Sequence, residues 1–403
     1  MKNISPVSPG ARARGRQLGG RALLACLLLA SLGSLPACNG DDDPTFPQPI
    51  IPEARHWLFD IEGTGPSDIW ACGNNGAMFH FDGAQWQAVD MGSNGAIVRM
   101  YRDPAGALYA CGHGGKIWRN SGTAWSSMET GTSLDLYTLG SYLGNVHAGG
   151  RDGILLRLAG SSWAKVDRNV MILRDAQGAP QDTLFQNQDV EAILTINHYA
   201  IGGAYRDPRY NGPEVGMLGT DGMILSEDNE YDWILRPLGG DQLVNEEWIL
   251  CTFSDPDVTA NNYLGSSEGW LFRLNEDGSW NQMRPKVTND PNGGIRDIWM
   301  DAADNIYMAT DEGQVVFQTY DYNFVEQQGR RVVLTDLAID FAAIWGTSPD
   351  DLYVVGFFED QIIHGRHDLE TDTFEIIEWI DVAWPDKGFS SGPLVDQFGR
   401  PLY

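Results

Sequence analysis

Three observations in this sequence predict an all-β fold, a seven-bladed β-propeller built from four-stranded antiparallel blades. First, one short phrase recurs along the chain, as in IWACG, LYACG and LYVVG. Second, an apolar segment precedes each copy and another apolar segment follows most of them. Third, a turn and then an aromatic residue close most copies. Four short strands that repeat about every 40 to 50 residues are typical of propeller blades.

The recurring phrase consists of an aliphatic residue, an aromatic residue or histidine, two small or apolar residues, and a glycine or other small residue, with some looser copies. We assign it to the second strand of each blade, strand B. Large side chains at its second position are expected to wedge between neighbouring sheets and form the core. That position falls on Trp70, Tyr109, His147, Tyr199, Tyr263, Tyr307 and Tyr353.

The residues on either side of the phrase complete a blade. Apolar segments such as FAAIWGT, about eight residues before the aromatic residue, predict the inner strand A, and segments such as AMFHF predict strand C. Asp-Gly turns such as Asp82-Gly83 suit tight hairpins, because both residues tolerate positive φ. The outer strand D then opens at an aromatic residue, which is Phe324 in copy six and Phe374 in copy seven. In the other copies this residue is Trp86, Trp125, Trp163, Trp233 or Trp280.

Seven copies of the phrase predict seven blades, and two other counts stay open. Six blades would require one phrase to be a coincidence, and HYAIG and NYLGS are the least regular phrases. Eight blades would require the tail after residue 381 to form an incomplete blade.

The segment WGTSPDDLYVVG, from Trp345 to Gly356, together with the DGxxW turn at Asp277, resembles the repeats of lipid-anchored or secreted bacterial β-propellers. This resemblance covers about residues 57 to 379. The turn is also distantly similar to the Asp-box of sialidase-like propellers, which lies between strands C and D. The full Asp-box pattern is absent, so no sialidase catalytic residue is carried over. The resemblance therefore implies a fold, because propellers host unrelated functions.

Residues 1–37 have the composition of a signal peptide. Five basic residues and no acidic residue precede or flank an apolar run from Ala22. The run is shorter than the roughly 20 residues that span a bilayer. Its end, LPAC, resembles the lipobox of bacterial lipoproteins, which implies cleavage before Cys38 and lipidation of that residue. The alternative is ordinary signal cleavage that leaves Cys38 as a structural cysteine.

The rest of the chain is predicted to form three segments. Residues 38–56 contain three aspartates and four prolines and are expected to be a semi-extended tether behind the lipidated cysteine. Residues 57–381 form the propeller, and residues 382–403 a closing segment. We expect a monomer in the cell envelope, held by its lipid anchor alone to a membrane outside the cytoplasm, at the periplasmic or surface side of an outer membrane.

The chain is strongly acidic, with 55 acidic and 27 basic residues and a net charge of −28 at pH 7. Such a surface repels phosphate backbones and anionic lipids, so nucleic acid is not an expected partner. Calcium and cationic partners suit it better, although solubility outside the cytoplasm explains the same composition.

The predicted propeller contains three cysteines, Cys72, Cys111 and Cys251. An odd and sparse set argues against a disulfide framework. We expect all three to be reduced and buried.

Long insertions place the expected ligand-binding face at the end of the ring that carries the B–C loops and the D–A connections. One insertion, YRDPRYNG, combines tyrosines, which stack and hydrogen-bond, with arginines, which offer a planar fork. The B–C loops add polar residues around the channel mouth. The alternative is a long surface loop with incidental charges. The candidate ligand-binding residues are Tyr205, Arg206, Asp207, Arg209, Tyr210, His113, Arg151, Asp152, Glu268 and Asp311.

No catalytic motif stands in a convincing sequence context. We therefore expect an envelope-anchored, non-catalytic propeller that binds a protein partner or a surface glycan through this face. The alternative is a carbohydrate-active enzyme, a glycoside hydrolase or lyase, with Asp152, Glu268 and Asp311 near the central channel. Glycoside hydrolysis needs two carboxyl groups at a defined separation, which a sequence cannot show.

No cofactor and no metal site is predicted. His364 and His367 in HGRH are three residues apart, a spacing that serves zinc on a helix, but here they follow a strand. The acidic segments DAADN and DLETDTFE could bind calcium, yet they lack the ligand periodicity of a known loop. Calcium is thus the one cofactor left open.

Overall fold

The chain was analysed as a computed structural model. It divides into two compact units, residues 1–51 and 52–403, and all described residues belong to the second. The structure describes residues 57–122, 124–142, 145–166, 171–174, 180–184, 192–193, 201–202, 224–227, 233–236, 249–254, 262–274, 280–283, 293–323, 328–334, 339–357 and 360–382.

The first half of the described chain forms three four-stranded antiparallel sheets, blades 1 to 3. A single 3-10 turn lies between the second and third strands of each blade. These turns are η1 (Asn74–Gly76), η2 (His113–Gly115) and η3 (Arg151–Gly153). The strands of blade 1 are β1 (Leu58–Gly65), β2 (Asp68–Gly73), β3 (Met78–Phe81) and β4 (Trp86–Ala88). Those of blade 2 are β5 (Ile97–Arg102), β6 (Leu108–Gly112), β7 (Ile117–Asn120) and β8 (Trp125–Met128). Those of blade 3 are β9 (Leu136–Tyr142), β10 (Asn145–Gly150), β11 (Leu155–Ala159) and β12 (Ser162–Lys165).

Three two-stranded pairs follow blade 3, and then three more four-stranded blades, blades 4 to 6. The pairs are β13 (Met171–Arg174) with β14 (Pro180–Leu184), β15 (Ala192–Ile193) with β16 (Ile201–Gly202), and β17 (Ile224–Glu227) with β18 (Trp233–Arg236). Blade 4 contains β19 (Ile249–Ser254), β20 (Asn262–Ser266), β21 (Leu271–Leu274) and β22 (Trp280–Met283). Blade 5 contains β23 (Ile295–Met300), β24 (Ile306–Thr310), β25 (Val315–Asn323) and β26 (Gln328–Leu334). Blade 6 contains β27 (Phe341–Ser348), β28 (Asp351–Gly356), β29 (Gln361–Asp368) and β30 (Thr373–Asp381).

The first strands of the blades lie side by side around a central axis, so the fold is a β-propeller of four-stranded antiparallel blades. Inner strand β1 contacts β5 on one side and β27 on the other, which closes the ring. Strand order within each blade follows the chain, A-B-C-D, as the sequence predicts.

The described residues form six four-stranded blades, not the expected seven, in agreement with the alternative count. The fourth copy of the phrase, HYAIG, contributes only Ile201–Gly202 as strand β16. Its partner β15 lies between the inner strands β9 and β19, where the Ile193 carbonyl accepts a hydrogen bond of 3.1 Å from the Thr252 hydroxyl. The sequence places its longest insertions in this copy, and among the described residues it forms strand pairs instead of a continuous four-stranded sheet. The suspect phrase NYLGS, by contrast, is the regular strand β20.

The hydrophobic cores lie between neighbouring blades, as the repeated aromatic residues predict. Trp70 and Met78 of blade 1 pack with Ile97 and Trp118 of blade 2, and the other neighbouring pairs of blades have equivalent clusters. The cluster that contains Leu58, Tyr353 and Val355 joins blade 6 to blade 1. Each sheet therefore buries both faces against its neighbours, and the hydrophobic effect holds the ring together.

Every inner strand of the six blades has a β-bulge near its start. The register shifts at Leu58/Asp60 in blade 1, at Ile97/Arg99 in blade 2 and at Ile295/Asp297 in blade 5, with matching shifts in the other three. A bulge adds one residue, bends the strand and increases its twist. The extra residue is buried in each blade. The six extra residues are Phe59, Val98, Tyr137, Leu250, Arg296 and Ala342.

The glycine that ends the recurring phrase is required by a close backbone approach. A Cβ atom at Gly73, Gly112 or Gly150 would lie 1.9 to 2.0 Å from a carbonyl oxygen of the residue before strand A. The residue after each glycine donates its N–H to that same carbonyl, as His113 does to Ala96 at 3.0 Å. The glycine thus allows the B–C turn to dock against the start of the inner strand.

The three cysteines of the propeller are buried free thiols, as expected. Within the described ranges, no helix is long and apolar enough to cross a membrane.

Candidate functional site

A cavity of about 510 Å³ lies on the axis of the ring and is lined mainly by the inner strands. Residues from the middle and end of these strands line it, such as Asp60 to Gly63 in β1 and Arg99 to Arg102 in β5. Inner strands end at the A–B turns, so the cavity occupies the half of the channel next to those turns. At the opposite half, buried extra residues of the bulges, such as Phe59 and Val98, fill the space around the strand starts.

A buried group of three charges crosses this cavity. The Arg99 Nη1 atom lies 3.4 Å from Asp60 Oδ1 and 3.6 Å from Asp297 Oδ1. The three residues occupy the same register position in blades 2, 1 and 5, because each is the first residue after the bulge. One guanidinium therefore ties blades that are not all adjacent, across the axis of the ring.

Both carboxylates also accept backbone hydrogen bonds from neighbouring inner strands. Asp60 accepts from the N–H of Met100 in blade 2 at 2.5 Å and from that of Ile61 at 3.0 Å. Asp297 accepts from the N–H of Ile344 in blade 6 at 3.0 Å. An inner strand is the edge of its sheet, so its free N–H groups need partners other than a β-ladder. Asp60 and Asp297 supply those partners and link adjacent blades.

Burial shifts the protonation of the carboxyl groups in the cavity. Desolvation raises the pKa of Asp297 to about 7, although Arg99 opposes the shift. Desolvation likewise raises the pKa of Asp60. The pKa of Glu62 rises to about 8, first through desolvation and then through the charge of Asp60, with Arg102 acting in the opposite direction. Carboxyl groups with raised pKa values in a cleft are typical of functional sites.

Glu62 belongs to a row of equivalent positions, two residues after the first post-bulge residue of each inner strand. Four other members of the row are aromatic, and all of them line the cavity. Trp345 crosses to the neighbouring blade, where a Cβ atom on Gly63 would lie 2.6 Å from its ring. Since every member is partly exposed, the cavity has a partly aromatic wall. The five residues, here called the channel row, are Glu62, Tyr101, Phe253, Trp299 and Trp345.

A second repeated arrangement lies at the A–B turn end of blades 1 and 6. In blade 1, Thr64 donates to Asp68 at 2.6 Å, and His80 Nε2 lies 3.0 Å from the other oxygen of Asp68. The His80 ring stacks on Trp70 with the centroids 4.0 Å apart. Because the aspartate sits between the two other groups, it holds the histidine in place but activates no nucleophile.

Blade 6 repeats this geometry. Thr347 donates to Asp351 at 2.5 Å, His364 Nε2 lies 3.0 Å from Asp351, and His364 stacks on Tyr353 at 4.5 Å. These contacts explain the GTxPxDxΦ pattern common to the two blades as a means of fixing the A–B turn and strand B.

The residues of the expected ligand-binding face that the structure describes lie in B–C turns of separate blades. His113 is in η2, Arg151 and Asp152 are in η3, Glu268 is in the turn after β20, and Asp311 is in the turn after β24. None of these five lines the cavity. Tyr205, Arg206, Asp207, Arg209, Tyr210 and Cys38 lie outside the described residues.

Two of these turns are anchored by ion pairs to the residues near strand A. Asp311 accepts from the Arg296 Nη2 atom at 2.6 Å and from the Gly294 N–H at 2.5 Å. In blade 3, Arg151 Nη1 lies 3.7 Å from Asp135, which also accepts the N–H of Gly114 from blade 2 at 2.7 Å. The side chains of Asp311 and Arg151 are thus used, at least in part, to hold the turns.

The two histidines of HGRH do not form a metal site. Both lie within strand β29, rather than in a turn after a strand, and three residues along a strand place side chains on opposite faces. His364 contacts Asp351, whereas His367 contacts the Tyr307 hydroxyl and Asp372. Among the described residues, no group of three potential metal ligands comes together.

Sequence reasoning missed Asp60, Arg99 and Asp297, although a signal for them exists. Each is a charged residue inside a short apolar inner strand, as in LFDIEG, IVRMYR and IRDIWM. A charge in such a strand needs a partner once it is buried. Aligning the inner strands by their position relative to strand B would have placed all three at one level of the channel.

Neither a protein-family profile nor a curated protein matches this sequence. Solved structures that match are propellers. YCF48 from Cyanidioschyzon merolae is 13% identical, with 77% of this chain and 95% of YCF48 covered and a TM-score of 0.50. The values for a streptogramin B lyase are 11%, 74%, 90% and 0.50, and those for the WD40 β-propeller domain of Doa1 are 13%, 77%, 93% and 0.50. At such low identity, the likeness establishes the fold alone.

Proposed function

We propose that this chain is a non-catalytic binding propeller of the cell envelope, which recognises a protein partner or a surface glycan through the B–C turn face. The observation that carries this proposal is the common construction of that face. In five of the six described blades, the residue after strand B donates its N–H to the carbonyl of the residue before strand A, at 2.9 to 3.1 Å. Turns fixed in this way present a preformed surface, which lowers the entropic cost of binding.

The channel geometry favours binding over hydrolysis. A glycoside hydrolase needs one carboxyl group that can donate a proton and a second that can act as a base or nucleophile. Asp60 and Asp297 instead use their oxygens to accept from Arg99 and from backbone N–H groups. Their contacts explain their presence as links between blades.

The address of the protein is part of the same proposal. The signal-like segment 1–37 and the LPAC sequence support lipidation at Cys38, with residues 38–56 as a tether. A Cys38→Ser variant is then expected in the soluble fraction, whereas the unaltered chain stays with the membrane fraction after washing with salt and alkali. Retention of the variant in the washed membranes would contradict the lipid anchor.

Site-specific photo-crosslinking in the native envelope tests the binding face. A photoreactive residue would be placed at Lys116, an exposed residue beside η2, and in a second variant at Arg206. A matched control would carry it at Ala105, an exposed residue in an A–B turn. A discrete protein adduct or a glycan adduct at Lys116 or Arg206, and not at Ala105, is expected. Crosslinks at Ala105 alone would show that the opposite face binds the partner.

A further inference from the structure

The cavity at the A–B turn end combines three features that the structural role of the ion pairs leaves unexplained. It is large enough for a small molecule or a side chain, at about 510 Å³. Its wall carries the aromatic members of the channel row. It also contains Glu62, whose carboxyl group has no hydrogen bond and no salt bridge among the described residues.

Charge in and around the cavity favours a positive guest. The acidic groups are Asp60, Glu62 and Asp297, with Asp68 beside Arg102 at 3.7 Å. The basic groups are Arg99, held between two aspartates, and Arg102. Four acidic groups thus face two basic ones, and the whole chain has a net charge of −28.

Aromatic rings and a carboxylate together recognise one chemical class. The face of a Trp, Tyr or Phe ring attracts a cation, more strongly when water is excluded, and aromatic cages bind ammonium groups in this way. Glu62 occupies the same row as Tyr101, Phe253, Trp299 and Trp345, so the charge and the rings surround the axis at one level.

We infer that the cavity binds an organic cation, an ammonium or guanidinium group, between Glu62 and the aromatic residues of the channel row. The cation ionises Glu62 as it enters, and the displaced proton leaves to solvent. This site lies at the end of the ring opposite the B–C turns, so it does not depend on the binding face proposed above.

The protonation of Glu62 gives the inference a measurable signature. Its pKa is raised to about 8, so the carboxyl group is mostly neutral at pH 7. A bound cation stabilises the carboxylate and lowers that pKa. Binding at pH 7 therefore releases a proton, and the affinity increases by up to about tenfold between pH 7 and pH 9.

Isothermal titration calorimetry on the full chain in detergent tests the inference. The probe is choline, and the control ligand is its uncharged isostere 3,3-dimethyl-1-butanol. Choline is expected to bind, with a heat that differs between phosphate and Tris buffers because a proton is released, while the isostere binds at least about tenfold more weakly. Acetyl-lysine methylamide forms a second arm: tighter binding than choline would indicate a basic side chain of a protein, and weaker binding a free small cation.

Two variants connect the signal to the site. Glu62→Gln is expected to weaken choline binding about tenfold and to abolish the buffer dependence, whereas Glu129→Gln, on the exposed outer edge of blade 2, leaves both unchanged. Circular dichroism confirms that each variant is folded. If Glu62→Gln fails to fold, the pH dependence of choline binding to the unaltered chain decides. Equal affinity for choline and its isostere, or an affinity independent of pH from 7 to 9, would overturn the inference.

Discussion

The Tyr307 hydroxyl of blade 5 lies 3.0 Å from Nδ1 of His367, which strand β29 of blade 6 inserts into the interface between the blades. Both residues are at most 1% exposed. His367 Nε2 lies 3.2 Å from the Asp372 carboxylate, which can only accept. The proton therefore sits on Nε2, and Nδ1 accepts from the tyrosine.

Tyr307→Phe is expected to destabilise the chain by about 1 to 3 kcal/mol, because it removes the donor and leaves a buried acceptor on His367. Urea unfolding followed by circular dichroism measures the change. A double-mutant cycle with His367→Gln isolates the pair, and additive effects would show that the hydrogen bond contributes nothing.

Arg99→Met should destabilise the chain by about 3 to 5 kcal/mol at pH 8, because it leaves Asp60 and Asp297 buried without their cation. The loss should shrink at pH 5.5, since both carboxyl groups have raised pKa values and accept protons there. Thermal unfolding at the two pH values measures this difference. The triple variant that adds Asp60→Asn and Asp297→Asn removes the unpaired charges and should recover part of the stability. An equal loss at both pH values would contradict this account of the three charges.

Stability should decrease as pH rises from about 5 to 9. The folded-state pKa values of Asp297 and Glu62 are about 7 and 8, whereas the unfolded values are 3.8 and 4.5. In this window the folded chain binds more protons than the unfolded chain, so raising the pH favours unfolding. Chemical denaturation across the range checks the sign. Glu62→Gln should flatten the upper part of the curve, and a profile that rises toward pH 9 would disprove the assignment.

Gly112→Ala should cost about 2 to 4 kcal/mol, because the new methyl group would lie 2.0 Å from the Ala96 carbonyl oxygen and the B–C turn would have to move. Gly65→Ala is the matched control, since a Cβ atom there meets nothing within 4 Å. The two midpoints of thermal unfolding give the comparison. Similar values for both variants would show that the turn does not depend on glycine.

Strands B, C and D could be predicted from the sequence because each repeats a local pattern. Trp86, Trp125 and Trp280 do begin outer strands, and Phe374 lies at the start of β30. Phe324 lies outside the described residues, and β26 begins at Gln328. These assignments succeeded because turn chemistry and alternation act over a few residues.

The candidate site was harder to predict, because it depends on contacts between distant segments. Asp60 and Asp297 are 237 positions apart in the chain, yet one arginine contacts both. The bulge that sets their common level is a backbone irregularity without a residue signature, since the extra residue ranges from Ala342 to Arg296. The blade count was also overestimated, because a phrase can recur where the surrounding segment does not form four strands.

Each described blade draws its four strands from one continuous segment, and among the described residues no strand pairing connects β27 or its sheet to β1. The junction between the last and the first blade therefore rests on side chains such as Trp345 against Gly63 and the shared apolar cluster. A pulling force between the two chain ends would load this junction directly. It would separate two packed surfaces without first unzipping a ladder of hydrogen bonds, so the closure is the mechanically weak point of a ring whose individual sheets resist the same force.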